Sequence, residues 1–202
     1  KHLSQLYGQP QGSTLQSPGF IVLGYGKLGG IELGYKSDLD LVFLHRGIAG
    51  QTIGGPRSID NSTFYVRLGQ RIIHLLSTVT ASGAAYEIDM RLRPSGNSGM
   101  LVSSLAAFEK YQRETAWTWE HQALVRARFV AGNKKLGEEF NLLRKSLLQQ
   151  HRSEQLLRAK VVEMREKMRK HLGQTVKDGK YSLKQGVGGI VDIEFMVQFA
   201  VL

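Results

Sequence analysis

The chain has no cysteine. That excludes a disulfide scaffold, a thiolate zinc site and a cysteine nucleophile, and it fits a reducing compartment, so a cytoplasmic location is expected. Long apolar runs are absent as well. No stretch is long enough to cross a bilayer, and the opening residues KHLSQLYGQPQGSTLQSPG have no signal-peptide core, so no membrane partner is expected. Acidic residues are in the minority, 17 against 27 Lys and Arg, for a formal net charge of +10. An initiator Met is lacking too, and the last segment, FMVQFAVL, stops inside an apolar helical pattern with no cap, so the chain reads as a fragment of something longer.

The composition that remains, 42% hydrophobic and 22% charged over 202 residues, is that of a globular chain with one domain, or one domain and a helical annex. The basic excess suggests a polyanionic partner: nucleic acid, a nucleoside triphosphate or an acidic protein. Part of that excess, Arg165, Lys167, Arg169 and Lys170, has the spacing of a solvated helix face. No basic stretch is interleaved with aromatics as a stacking platform needs, so nucleic acid is the weaker choice. Trp117 and Trp119 fall in a helical pattern, where core packing is the expectation.

Three predicted regions follow along the chain. Residues 1–18, rich in Gly, Gln and Ser, form a poorly ordered lead-in. Residues 19–130 hold a catalytic core: a strand at 20–23, a glycine-rich stretch at 24–34, a strand at 38–44, a Gly/Pro loop at 47–58, a helix at 60–80 and a strand at 84–91. The helix presents Phe64, Leu68, Ile72, Leu75, Leu76 and Val79 on one face and ends at Ser82-Gly83. Helices are expected at 104–114, 115–130, 134–149 and 152–172, the last with Leu157, Val161, Met164, Met168 and Leu172 at core spacing. Residues 131–202 are thus a helical region, with Gly186-Val-Gly-Gly189 opening a final helix near 190. The order predicts an α+β fold with a mixed sheet and a helical extension.

Gly24-Tyr-Gly26-Lys-Leu-Gly29 is a literal G-x-G-x-x-G after a strand, the signature of a dinucleotide site. The spacing argues against that reading. A crossover helix needs at least about ten to twelve residues, and only eight separate Gly29 from Asp38. Nor is it a Walker A loop, because no Ser or Thr follows Lys27. A short turn of helix does fit, with the amides of Gly26–Gly30 facing phosphate oxygens. A tight strand connection without a ligand explains the glycines equally well.

Asp38 and Asp40 lie one residue apart on a strand, so they share a face while Leu39 and Leu41 point the other way. Adjacent acids repel unless a cation lies between them, and Mg²⁺ is the usual answer where phosphate is handled. Alone, D-x-D more often marks a solvated strand end. The later strand Tyr86–Arg93 changes the balance: Glu87 and Asp89 share a face with Arg91 and Arg93. A third acid there would complete a two-metal site, and the arginines would meet a triphosphate. A plain salt-bridge ladder is the bland alternative.

The combination resembles the nucleotidyltransferase superfamily that includes DNA polymerase β: a small-residue pair, about ten residues, D-x-D, then an acid on a neighbouring strand. Here Gly26-Lys27 stands at the pair, with Lys where Ser is usual. GYGKLGGIELGYKSDLDLVFLH (24–45), EIDMRLRPSGNSGML (87–101), AWTWEHQALVRAR (116–128) and GGIVDIEFMVQ (188–198) are similar to the glutamine synthetase adenylyltransferase family. That family carries two related halves, one adenylylating a tyrosine of glutamine synthetase and one removing AMP by phosphorolysis; TAWTWEHQALVRAR is closer to the adenylylating, C-terminal half.

The resemblance implies that Asp38, Asp40 and Asp89 bind two Mg²⁺ ions and carry catalysis with ATP as substrate. It implies that Gly26, Lys27, Gly29, Gly30 and Ser37 line the nucleotide, that Arg91 and Arg93 meet phosphates, and that Lys184 with Gly188-Gly189 closes the site. Its implied partners are glutamine synthetase and the PII signalling protein, with glutamine as effector. Asp192 has a simpler explanation in the first turn of a helix, and Glu194 carries no stronger claim. His45 and His121 are base candidates by residue type alone. The competing readings are phosphorolysis of AMP-tyrosine and an RNA-directed nucleotidyltransferase.

Overall fold

A computed structural model describes residues 2–81, 83, 86–172 and 181–202. The central element is β2 (Phe20–Gly24), with β1 being the short strand Gln9–Pro10. β2 pairs antiparallel along its whole length with β3 (Leu39–His45), and its other edge is taken by β7 (Arg128–Gly132). The outer edge of β3 is shared by two short parallel strands. β5 (Ile88–Asp89) lies against its start, and β6 (Val102–Ser104) against its end. The sheet is therefore mixed, in the order β5-β3-β2-β7, as an α+β fold requires.

Both faces of this sheet are covered, which explains why β3 reads as a nearly continuous apolar run. On one face Leu39, Leu41 and Phe43 pack with Phe64, Leu68, Ile72 and Leu76 of α3 (Asn61–Ser77). On the other, Val42 and Leu44 join Ile21 and Leu23 under α4 (Leu105–Glu114), α5 (Thr118–Leu124) and α6 (Lys134–Leu148), with Phe108, Leu124 and Phe140 fully buried. A bundle edge is added by α7 (Glu154–Leu172) and α8 (Ile190–Val201), the latter packing against α7 and α5.

The lead-in is more ordered than its composition predicts. α1 (His2–Tyr7) rests on α3, and β1 pairs with β4 (Thr52–Ile53). Tyr65 also donates to the Pro18 carbonyl at 3.1 Å. The expected helix at 115–130 is cut short: α5 ends at Leu124 and residues 128–130 enter β7, because the free edge of β2 needs a partner and Arg128-Phe-Val-Ala suits a strand. Trp117, expected in the core, is 70% exposed. Leu75, in the last turn of α3, and Val79, beyond its end at Ser77, are exposed too. Arg165, read as part of a solvated face, is buried. Ser82, Ala84, Ala85 and the side chain of Leu172 lie outside the described residues. Among the described residues, no helix is long and apolar enough to cross a membrane.

Candidate active site

Strand alternation decides where the acids point. Leu39 and Leu41 face α3, so Asp40 projects to the opposite side. On β5, Ile88 and Met90 also pack on the α3 side, which turns Asp89 the same way as Asp40. The two strands run parallel with Asp40 directly in register with Asp89, so their Cα atoms are about 4.8 Å apart, the spacing of neighbouring strands. The pairing is secured by the Leu39 amide donating to the Glu87 carbonyl at 2.8 Å. Asp38 lies exposed just ahead of the strand.

The glycine loop backs directly onto this pair. α2 (Gly26–Gly29) follows β2 at once, and the Tyr25 amide donates to the Asp40 carbonyl at 2.9 Å. Gly26 has φ +49°, and a Cβ there would stand 2.3 Å from Asp40 Oδ2. Only glycine allows both the left-handed turn and this approach. Ser37 is buried; its Oγ accepts from the Gly34 amide at 3.1 Å and from Lys27 Nζ at 3.4 Å. Lys27 is thereby brought to the residue preceding the first aspartate.

The electrostatics match a site short of positive charge. Burial raises the Asp40 pKa, and the charges of Asp89 and then Asp38 raise it further, against weaker relief from Arg91 and Arg126. Asp89 is held below the ordinary carboxylate range by Arg91. The Arg91 guanidinium donates to it from Nε at 2.8 and 3.0 Å and from Nη2 at 2.5 Å, and the Arg91 amide adds a bond at 2.8 Å. Among the described residues, no three acids or histidines converge as a ready-made metal cage. The donors nevertheless suit Mg²⁺, which is ordinarily held by one or two carboxylates and completed by substrate phosphates.

Other expected site residues have different employment. Arg93 donates to the carbonyls of Met90 at 2.7 Å, Asn97 at 3.1 Å and Gly99 at 3.3 Å, bracing the turn after β5 rather than standing free for phosphate. The amides of Gly29 and Gly30 are spent within the loop, on the Tyr25 and Gly26 carbonyls. A Cβ at Gly29 would lie 1.7 Å from the Arg126 carbonyl oxygen, so that glycine serves close packing. Lys184 is exposed in the turn before α8, where its carbonyl accepts from the Val191 amide. Asp192 does more than favour a helix dipole: it pairs with Arg165 at 2.5 Å and Arg169 at 2.8 Å. His45 stacks on Tyr65, and His121 bonds the Gln112 carbonyl; both are packing residues.

Two functional arginines, Arg126 and Arg128, were not foreseen from sequence. Arg128 donates to the Leu28 and Gly29 carbonyls at 2.9 and 3.2 Å, and Arg126 pairs with Glu32 and Glu194. Their only signal was two basic residues in the otherwise apolar run Ala123–Val130.

The sequence profile of the family described as glutamate-ammonia ligase adenylyltransferase matches residues 1–142. A "bifunctional glutamine synthetase adenylyltransferase/adenylyl-removing enzyme" of Hahella chejuensis is 57% identical over 97% of the chain. Proteins of the same name from Pseudomonas putida and Vibrio parahaemolyticus are each 54% identical, over 97% and 99% of it. In each case the chain spans only 21% of the relative's length.

Proposed function

The chain belongs to the glutamate-ammonia ligase adenylyltransferase family, and from that premise we propose that it transfers AMP from ATP to a tyrosine hydroxyl of glutamine synthetase. The observation that carries the proposal is the parallel register of Asp40 with Asp89 beneath a glycine turn that allows no side chain beside Asp40. Such a site takes a phosphate chain on the loop side and a cation on the carboxylate side.

Asp40 and Asp89, with Asp38 at the rim, would hold Mg²⁺. When bound, that metal supplies charge neutralisation at the α-phosphate and a lowered pKa for the attacking hydroxyl. The chain's own residues do the positioning. Lys27 and Ser37 lie at the loop edge, where phosphate oxygens would be met. Arg91, its side chain 73% exposed, can keep Asp89 ionised or swing to the phosphates. Among the described residues no histidine joins these acids, so the hydroxyl proton would leave through a carboxylate or water. Positioning and charge neutralisation would carry most of the rate.

The relatives' names give glutamine synthetase as the target of both adenylylation and its reversal. The adenylylating direction rests on the likeness of Thr115–Arg128 to that half of the family, and control by the PII protein and glutamine rests on the same resemblance. The test is to incubate the full-length protein with Mg²⁺, unmodified glutamine synthetase and ATP labelled at the α-phosphate, beside an Asp40→Asn control. Label on the synthetase that vanishes in the control supports the proposal. AMP release from adenylylated synthetase that depends on orthophosphate would instead place the reaction in the removing direction.

A further inference from the structure

Arg126 lies where three distant parts of the chain meet. Its Nη2 bonds Glu32 Oε2 at 2.5 Å, at the exit of the glycine loop, and its Nη1 bonds Glu194 Oε1 at 2.6 Å, on α8. These partners are 94 and 68 residues away in sequence. The guanidinium is mostly buried, with 19% of its side chain exposed. It lies directly over the loop backbone: a Cβ on Gly30 would come within 2.8 Å of Arg126 Nη2 and 2.9 Å of Glu32 Oε1. The Arg126 carbonyl oxygen is also the atom that leaves room only for glycine at position 29. Two residues on, Arg128 holds the Leu28 and Gly29 carbonyls.

A groove of about 550 Å³ opens here, floored by Gly29 and Gly30 and walled by Arg126, Ile193 and Glu194. The helix on its far side buries little apolar surface and is held to α7 chiefly by the charges on Asp192. Val191 is the one buried residue of α8 among those described, while Ile190, Ile193, Met196 and Val197 are exposed. A fork-shaped cation gripping two carboxylates from different elements is a geometric constraint as well as a charge pair. Moving α8 therefore moves Glu194, loosens Arg126 and frees Glu32.

We propose that Arg126 is a positioning residue that ties α8 to the glycine loop, so that the placement of α8 sets how tightly the loop holds a nucleoside triphosphate. The affinity half of this proposal rests on the nucleotide reading above; the mechanical half does not. Neither Glu32 nor Glu194 need touch the nucleotide for its affinity to respond to them.

The test uses the full-length protein with Glu194→Gln and Arg126→Lys, read by amide hydrogen exchange and by equilibrium binding of Mg·ATP. The amides of Gly29, Gly30 and Glu32 each donate within the loop, to Tyr25, Gly26 and Lys27, so their exchange reports its order. Expected for Glu194→Gln is exchange at these three amides faster by about fivefold or more, with α3 unchanged, and Mg·ATP bound about five- to tenfold more weakly. The turnover rate at saturating ATP should barely move. Arg126→Lys should behave alike, because a single ammonium nitrogen does not replace the two guanidinium nitrogens that each hold one carboxylate. Unchanged loop exchange, or exchange raised uniformly through the sheet, overturns the proposal. Faster loop exchange with unaltered Mg·ATP affinity overturns its affinity half. A wild-type protein that binds no Mg·ATP, yet shows the local exchange response, strikes down the nucleotide reading and leaves the coupling standing.

Discussion

Asp40 is crowded by two other carboxylates and by the backbone of Gly26, an arrangement that favours ligand binding over stability. Replacing it with Asn should reduce AMP transfer by at least about a hundredfold, the scale on which lost transition-state charge stabilisation is felt. The same change should raise Tm in the absence of Mg²⁺ by roughly 2–4 °C, the response of a domain of this size to about 1 kcal/mol. The sign follows from the raised pKa of Asp40 in the folded state. The fold prefers its protonated form, so stability falls as pH rises above the ordinary carboxylate range. The gain from Asn should therefore be full at neutral pH and fade in acid. At Gly29 the direction reverses. A Cβ there meets two backbone oxygens, 1.7 Å from Arg126 and 2.7 Å from Gly24, so Gly29→Ala should cost about 3 kcal/mol in urea unfolding. The acids were legible in the sequence because residues two apart on a strand share a face whatever surrounds them. Arg126 and Arg128 were not, because what defines them is partners 68, 94 and 100 residues away.

Among the elements, α7 and α8 are joined by the least expected contact, Asp192 between Arg165 and Arg169. Burial pushes Asp192 up, but the bonds from Arg165, the Gly188 amide and Arg169 outweigh it and hold the group at about 2. A depressed carboxylate contributes stability above its unfolded value, and that contribution is lost as pH falls through the folded one. The contact should thus be fully present at pH 7 and disappear between about pH 4 and about pH 2. Asp192→Asn should lower the urea midpoint at pH 7, with the gap to wild type closing over that acid interval. Helix positions followed closely from apolar spacing, as α4, α6 and α7 illustrate. Of the short strands, β5 lies within the strand expected at 84–91, whereas β6 and β7 were not foreseen: they exist because β3 and β2 have edges to fill, and so few residues carry little period of their own.

For the whole molecule, the acid cluster lacks a ready-made metal cage among the described residues, so metal and nucleotide should bind as one ligand. Mg·ATP should raise Tm of the full-length protein, by an amount equivalent to about 2.7 kcal/mol at a hundred times its Kd. ATP with EDTA, or Mg²⁺ without nucleotide, should raise it far less; an equal shift from Mg²⁺ alone would indicate a closed metal site. The net charge of +10 should also make the fold more stable in moderate salt than at low ionic strength, since screening relieves self-repulsion. A Tm series in NaCl reads this directly.

The sequence by itself determined the class of fold, the helices with strong apolar spacing, the D-x-D face and the later acid, because each depends on neighbours within a few residues. It also carried the family, through blocks of residues long enough to be distinctive. The tertiary structure alone decided that Asp40 and Asp89 stand in register, that Arg93 braces a turn and that Arg165 is buried. It also decided that Arg126 binds the glycine loop to the last helix. Those outcomes depend on which strand edges and charges meet across long separations, and no local pattern encodes that meeting.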